Sequence, residues 1–543
     1  MPAMTLSLRL ASALLPLVLA AAPVAAAAQD VPHIATRNGK HALMVDGAPF
    51  LMLGAQANNS SNYPDALPKV WPFLKRIHAN TLEIPVAWEQ LEPVEGQFDF
   101  AYVDTLVEQA RANDMRLVLL WFASWKNTGN SYAPAWVKSD TRRFARMTKP
   151  DGTPHYVISP HGRATLEADK RAFVALMTHL KRIDPQNTVI MVQPENESGS
   201  YGLDRDHAPA AQTLFAGPVP APLLKAMNKQ AGTWTQVFGT NADRYFNTWY
   251  YAKYIGEIAA AGKAVKPLPM YVNAALGDAF DPAKGAGPSG GPNWDVMPIW
   301  KVAAPALDLI APDIYNRNPE QVTGFFEQYA KPNNALMVPE IGNAAEYGRF
   351  IWPALGRGAI GFAPFGMDET GFFNYPLGAK SFDEATVAAF ADPYGLFHPI
   401  ARDWAKIAFE NPTWGTTRGS DGKDQSQVLG RWRVSVQYGH WQMGEASWTW
   451  LKQDPHPMAD QPEGGALVAQ LGPDTFLITG RHVRMRLGLA EGKQATQIVS
   501  AEEGTFVGGQ WRMSRRWNGD QIDYGFNFTD KPVLLKVTMG TYR

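Results

Sequence analysis

Between residues 33 and 410, eight short apolar runs alternate with stretches whose apolar residues recur every three or four positions. The runs are Phe50–Leu53, Thr81–Val86, Arg116–Trp121, Thr188–Gln193, Pro269–Asn273, Leu307–Ala311, Ala335–Val338 and Gly358–Pro364. Tyr102–Asn113 and Glu167–Arg182 carry the helical period between them. Strand, helix, strand in strict succession dictates a parallel sheet, because each helix must return the chain to the same edge. Eight such units within this length predict an α/β fold of one kind, a (β/α)8 TIM barrel over residues 33–412.

In such a barrel the side chains beyond the carboxyl ends of the strands build the site. Several runs here end in polar or aromatic residues: Gln56-Ala57-Asn58-Asn59, Trp88-Glu89, Trp125-Lys126-Asn127, Asn273, Asp313-Ile314-Tyr315-Asn316 and Met367-Asp368. Two acidic ends stand out. Glu197 closes Val189-Ile190-Met191-Val192-Gln193-Pro194-Glu195-Asn196-Glu197, and Glu340 closes Leu336-Met337-Val338-Pro339-Glu340. A carboxylate at the end of a buried strand is costly unless paired, hydrogen-bonded or used in chemistry. Two of them, from the fourth and seventh strands, suit hydrolysis of a glycosidic bond, which needs two carboxyl groups flanking one anomeric carbon.

The neighbours divide the roles. Asn196 offers an amide to a sugar 2-hydroxyl, so Glu197 beside it is expected to be the acid/base and to need a raised pKa. Glu340 is then the nucleophile, with Tyr315 placed to donate a hydrogen bond to it. Glu195 shares strand parity with Glu197 and is assigned a sugar-binding or structural role. By position, Gln56, Asn58, Trp125, Lys126 and Asn127 join Tyr315 as candidate sugar contacts, while Trp88 and Trp121 are expected to fill the barrel.

Past Pro412 the texture changes. Gly419 to Gln427 reads as a linker or long loop, and Val428–Gln437, Gly465–Leu471, Thr475–Thr479, Val483–Leu489, Gln497–Val499, Gln510–Arg516 and Val533–Met539 alternate like strands. These predict a small antiparallel β-sandwich domain over 425–543, with packing or oligomerisation as its expected role and polysaccharide binding as the alternative.

At the other end, Arg9 precedes the apolar stretch from Leu10 to Val24, and Ala26-Ala27-Ala28 offers a cleavage site. Residues 1–28 therefore read as an export signal, the alternative being a membrane anchor. The expected location is periplasmic or secreted, with no membrane association after cleavage. The chain contains no cysteine, which excludes disulfides, thiolate catalysis and Cys-ligated zinc. A formal net charge of −1 gives no electrostatic case for nucleic acid. No metal-ligand spacing or phosphate loop occurs, so no metal and no cofactor are expected. Gly287-Pro288-Ser289-Gly290-Gly291 matches a nucleophile elbow only formally. Asp281-Pro282-Ala283-Lys284-Gly285 precedes it instead of a strand, which makes it a loop that can cover the site.

The chain resembles glycoside hydrolase family 35, the β-galactosidases with Asn-Glu at strand four and Glu at strand seven. The resemblance rests on Gly39-Lys40-His41-Ala42-Leu43-Met44-Val45-Asp46-Gly47, on Ile84 to Pro93 with Gly96-Gln97-Phe98-Asp99-Phe100, on Gln193 to Ser200, and on Val338-Pro339-Glu340-Ile341. Pro194 and Ser198 stand where that family carries a bulky aliphatic residue and a tyrosine. The resemblance is to the bacterial branch with a C-terminal β-domain, some members of which remove galactose from xyloglucan. It implies a retaining exo-β-galactosidase acting on terminal β-galactosyl residues of an oligo- or polysaccharide. The rivals are a retaining glycosidase for another sugar (arabinosidase, glucosidase or mannosidase) and a carbohydrate-binding protein without turnover.

Overall fold

The computed structural model describes residues 30–285, 287–438, 450 and 464–542; the proposed export signal lies outside the described residues. Eight parallel strands form the central sheet: β1 (Met52–Gln56), β2 (Thr81–Ala87), β3 (Arg116–Lys126), β4 (Val189–Asn196), β5 (Tyr271–Ala275), β6 (Leu309–Ile314), β7 (Val338–Ile341) and β8 (Gly361–Pro364). They pair in the order β5-β6-β7-β8-β1-β2-β3-β4, and a parallel bridge between Val192 and Met270 closes β4 onto β5. The (β/α)8 barrel expected from the alternation is therefore the fold.

Apolar residues on both faces of each strand explain why these segments are strands. Leu117, Leu119 and Trp121 of β3 join the core beneath the helices, whereas the intervening Val118, Leu120 and Phe122 cluster inside the barrel. Leu43, Val45 and Phe50 of the N-terminal hairpin join that inner cluster and plug the barrel. The helix after β3, α1 (Arg163–Ile183), buries Thr165, Leu166, Asp169, Ala172, Phe173, Leu176, Met177 and Leu180, a stripe one helical face wide. The helix after β6, α2 (Pro319–Tyr329), starts where Asn318 accepts the Gln321 N–H at 2.9 Å and Pro319 occupies the first turn. Among the described residues, no helix is long and apolar enough to cross a membrane.

The C-terminal region forms two antiparallel sheets. One runs in the order Thr413–Thr417, Gly465–Gly472, Thr475–Arg481, Leu535–Tyr542, Ala495–Val507, Gln510–Arg516; the other is Gln425–Leu429, Trp432–Tyr438, Val483–Leu489, Phe526–Phe528. Trp432, Val434 and Val436 meet Ala466, Val468, Ile478 and Val537 between them, which makes the pair a sandwich.

Two details differ from the sequence reading. Val428–Gln437 is not one strand but parts of two, turned at Gly430 with φ +58°. The first strand, Thr413–Thr417, lies upstream of the expected boundary and pairs with Gly465–Ala469.

Gly465–Gly472 and Thr475–Arg481 are buried on both faces, because Leu467, Ala469 and Leu477 belong to the barrel core while Val468, Phe476 and Ile478 belong to the sandwich. The helix after β7, α3 (Ile351–Gly356), presses onto Thr413–Thr417 so closely that a Cβ on Gly356 would overlap the Gly415 backbone. A Cβ on Gly415 would likewise overlap the Trp352 carbonyl.

Candidate active site

Strand pairing brings the acidic ends together. Asp313 of β6 lies opposite Glu340 of β7, and Ala275 of β5 lies opposite Asp313. The carboxylates of Glu197, Asp313 and Glu340 each present an oxygen within 4.8 Å of the others. By distance alone, three such oxygens are also able to hold one hard cation.

Glu340 is 3 % exposed and held from two sides. The Tyr315 hydroxyl donates to Oε1 at 2.5 Å, and Gln56 Nε2 donates to Oε2 at 3.1 Å. Burial and the Glu340 charge push the Tyr315 phenol well above its usual range, which keeps it a donor.

Glu197 sits one residue past β4 and keeps partial exposure at the mouth. Burial first, then the charge of Glu340, pushes its carboxyl up to about 7, opposed by Lys126 and by a hydrogen bond with Asp313. Asp313 is raised well above the carboxylate range by burial and by both glutamates, and it accepts Asn273 Nδ2 at 2.6 Å. The cluster therefore holds protons near neutral pH, and Glu197 is the member poised to exchange one there.

The backbone that aims Glu197 is unusual. Glu195 and Glu197 have φ of +65° and +43°, values that non-glycine residues seldom adopt. Four groups of hydrogen bonds hold the turn. Gln193 Nε2 donates to the Glu195 carbonyl at 2.9 Å, and the Glu197 N–H donates to Asn273 Oδ1 at 3.0 Å. The Thr128 N–H donates to the Glu197 carbonyl at 3.2 Å, and the Glu195 carboxylate accepts the N–H groups of Ser124 and Trp125 at 3.2 and 2.7 Å. Beyond it, Gly199 has φ +129°, and a Cβ there would sit 2.8 Å from the Ser289 carbonyl. The loop that formally matched a nucleophile elbow is thus a clamp: Ser200 and Ser289 form an antiparallel bridge, and Asn247 Nδ2 donates to the Ser289 carbonyl at 3.0 Å.

The other expected contacts fall into two groups. Asn196 is 1 % exposed, and neither amide atom has a protein partner, so its hydrogen-bonding capacity is unmet within the chain. Gln56, Tyr315 and Lys126 also lie at the cluster, with Lys126 Nζ donating to Asn127 Oδ1 at 2.6 Å.

Asn58 spends its N–H and amide on Asp368 at 2.8 and 2.9 Å, leaving only Oδ1 free. Glu195 does not join the cluster. Both its oxygens are engaged by backbone, and it shares a hydrogen bond with buried Asp169. Trp125 is wedged between Tyr251 and Tyr254, ring centroids 4.7 and 4.6 Å away, with Nε1 on the Ile158 carbonyl, so it stiffens the wall and does not face a sugar. Trp88 and Trp121 are fully buried, as expected.

Sequence reasoning noted Asp313 and Asn273 as polar strand ends without giving either a role, and it missed Glu83. Glu83 lies inside the barrel, 1 % exposed, accepts the Tyr271 hydroxyl at 3.1 Å, and is raised by burial and by Glu340. Its signal was a lone acid within the apolar run Leu82-Glu83-Ile84. Asp313 shares strand parity with Tyr315, and its pairing with β5 and β7 gives that position its meaning.

Residues 65–262 match a family model described as "Beta-galactosidase", of the glycoside hydrolase 42 type, and residues 390–529 match a domain of unknown function, DUF5597. A beta-galactosidase of Xanthomonas manihotis is 29 % identical over 223 residues, covering 38 % of this chain and 34 % of that protein. The chain thus matches about a third of that relative's length. Among solved structures, the beta-galactosidase of Bacillus circulans sp. alkalophilus is similar at 12 % identity and TM-score 0.47, over 66 % of this chain and 57 % of that one. The cold-adapted beta-galactosidase of Rahnella sp. R3 is similar at 16 % and 0.45, over 66 % and 61 %. The matched model is of the family 42 type, whereas the motifs resemble family 35; a β-galactosidase-type glycoside hydrolase is common to both.

Proposed function

We propose that this protein is a retaining β-galactosidase that releases terminal β-galactosyl residues from an oligo- or polysaccharide. One observation carries the reading: Glu197 and Glu340 present oxygens within 4.8 Å of each other at the barrel mouth, where burial and the Glu340 charge push Glu197 up to about 7. Inverting enzymes hold their carboxyl groups about 6.5–9.5 Å apart to admit water between them, whereas retaining enzymes hold them about 5–5.5 Å apart.

In this mechanism Glu340 attacks the anomeric carbon while Glu197 gives its proton to the departing glycosidic oxygen. Tyr315 and Gln56 orient the nucleophile, and Asn196 meets the 2-hydroxyl, a bond that strengthens as positive charge builds on the ring. The glycosyl–Glu340 ester is then cleaved by water, whose proton returns to Glu197, and the β configuration is restored.

The galactosyl preference draws on the family model over 65–262 and on the Xanthomonas relative. Xyloglucan side chains are the natural substrate that the motif resemblance points to, and the reading of residues 1–28 as an export signal supports a reaction outside the cytoplasm. Nitrophenyl glycosides differing only at the 4-hydroxyl, with the first product followed by NMR, test this directly. Faster turnover of galactoside than glucoside with β-product first supports the reading; α-product first, or preference for another sugar, refutes it.

A further inference from the structure

Two exposed tyrosines stand beside Glu197 with no role in the chemistry above. Tyr201 is 47 % and Tyr156 51 % exposed. Tyr156 sits on a hairpin, Arg146–Thr148 with Pro154–Ile158, inserted after β3. Its hydroxyl lies 2.6 Å from the Thr128 hydroxyl, and the Thr128 N–H is bonded to the Glu197 carbonyl. Tyr201 follows Glu197 by four residues, on the segment clamped by the Ser200–Ser289 bridge. The His155 ring lies 4.5 Å from that of Tyr156. Tyr156 through Thr128, and Tyr201 through its clamped segment, are thus tied to the frame that fixes Glu197.

Geometry then decides what they face. The group that protonates a glycosidic oxygen must lie on the side of the departing fragment, whereas the nucleophile and the orphan amide hold the sugar being transferred. Gln56, Tyr315 and Asn196 make the Glu340 side buried and polar. The Glu197 side is open and aromatic. A phenol ring offers a flat apolar face for the C–H face of a pyranose while its hydroxyl stays wet.

We propose that Tyr156 and Tyr201 form a leaving-group subsite that binds the sugar to which the terminal galactose is attached. The assignment rests on the galactosidase reading above, which already takes a saccharide aglycone, and adds to it the two residues that recognise that aglycone by stacking.

The test compares two substrates on the full-length protein. β-Galactosyl fluoride carries no aglycone body, whereas lactose places a glucose beside Glu197. A ring covering about 50 Å² of apolar sugar face at about 25 cal/mol per Å² is worth roughly tenfold in kcat/KM. Tyr201→Ala and Tyr156→Ala should each lower the ratio of kcat/KM on lactose to that on the fluoride about tenfold. Tyr201→Phe and Tyr156→Phe, which keep the rings, should restore most of it. An unchanged ratio in both alanine variants overturns the subsite while leaving the galactosidase reading intact. A ratio that falls equally in the phenylalanine variants overturns stacking as its basis. No turnover of either substrate by the unaltered protein overturns both readings.

Discussion

Replacing Glu340 with glutamine should abolish turnover and yet stabilise the fold, increasingly so as the pH rises. Glu197, Asp313 and Glu83 are all raised in part by the charge of Glu340, so the native state holds several acids against mutual repulsion. For Glu197 the sign is fixed by a native pKa of about 7 against 4.5 unfolded. A group raised on folding contributes its full stabilisation below its unfolded value, and that contribution is lost as pH climbs through about 7. Glutamine removes the charge, lowers the native pKa of Glu197, and leaves less to lose.

Unit charges under 4.8 Å apart repel by roughly 3 kcal/mol at an effective dielectric constant near 20. Burial is a larger cause than this charge, so the part relieved is about 1–2 kcal/mol, or about one pKa unit on Glu197. The Tyr315 bond survives, because glutamine keeps one acceptor, and Gln56 can turn its amide to accept from the new one. Urea unfolding of both proteins at pH 5 and pH 8.5 reads the effect. Near equality at pH 5 and greater stability of Glu340→Gln at pH 8.5 is the expected pattern. A pH-independent difference, or a loss at pH 8.5, would refute a cluster strained by its own charge.

Three further outcomes follow from the same geometry. With poor leaving groups, kcat/KM should fall about tenfold per pH unit above about 7 as Glu197 loses its proton, and this limb should shrink with very good leaving groups. Steady-state pH profiles on alkyl and dinitrophenyl galactosides separate the cases, and identical limbs would remove Glu197 as the acid. Asn196→Ala should lower kcat about 10²-fold with KM little changed, since its amide acts chiefly in the transition state; a loss confined to KM would make it an ordinary binding contact. Gly415→Ala should cost about 1–3 kcal/mol or more of stability by forcing the β-domain away from α3, and a melting temperature equal to the wild type would show that the contact yields freely.

The barrel was legible because its strands are apolar on both faces, which leaves a plain run in the sequence. Their ends were less so. A reader who stops at the last apolar residue ends β6 at Ala311 and β7 at Val338, yet the ladder continues through Asp313 and Glu340, whose side chains enter the polar mouth. Glu197 and Glu340 were visible as acids on apolar runs. Glu195, expected to bind sugar or to serve a structural role, takes the structural one, because positive φ at 195 and 197 breaks the two-residue alternation and sends the two side chains different ways. Trp125 was placed among the sugar contacts by simple alternation, which fails in β3 where the register shifts between Trp121 and Lys126. Asp313 went unweighted because a single strand-end acid has many bland explanations, and only the neighbours on β5 and β7 give it meaning. The second face of Gly465–Gly472 was hidden too, since no local pattern tells a strand that a helix of another domain will cover it.

Trapping with 2-deoxy-2-fluoro-β-galactosyl fluoride asks the central question most directly, because the fluorine slows release of any covalent intermediate. Peptide mass spectrometry should find one added fluorogalactosyl group, on the peptide containing Glu340, in protein whose activity has been lost in step. A label on Glu197 or Asp313, or turnover with no labelled peptide, would contradict a double displacement through Glu340.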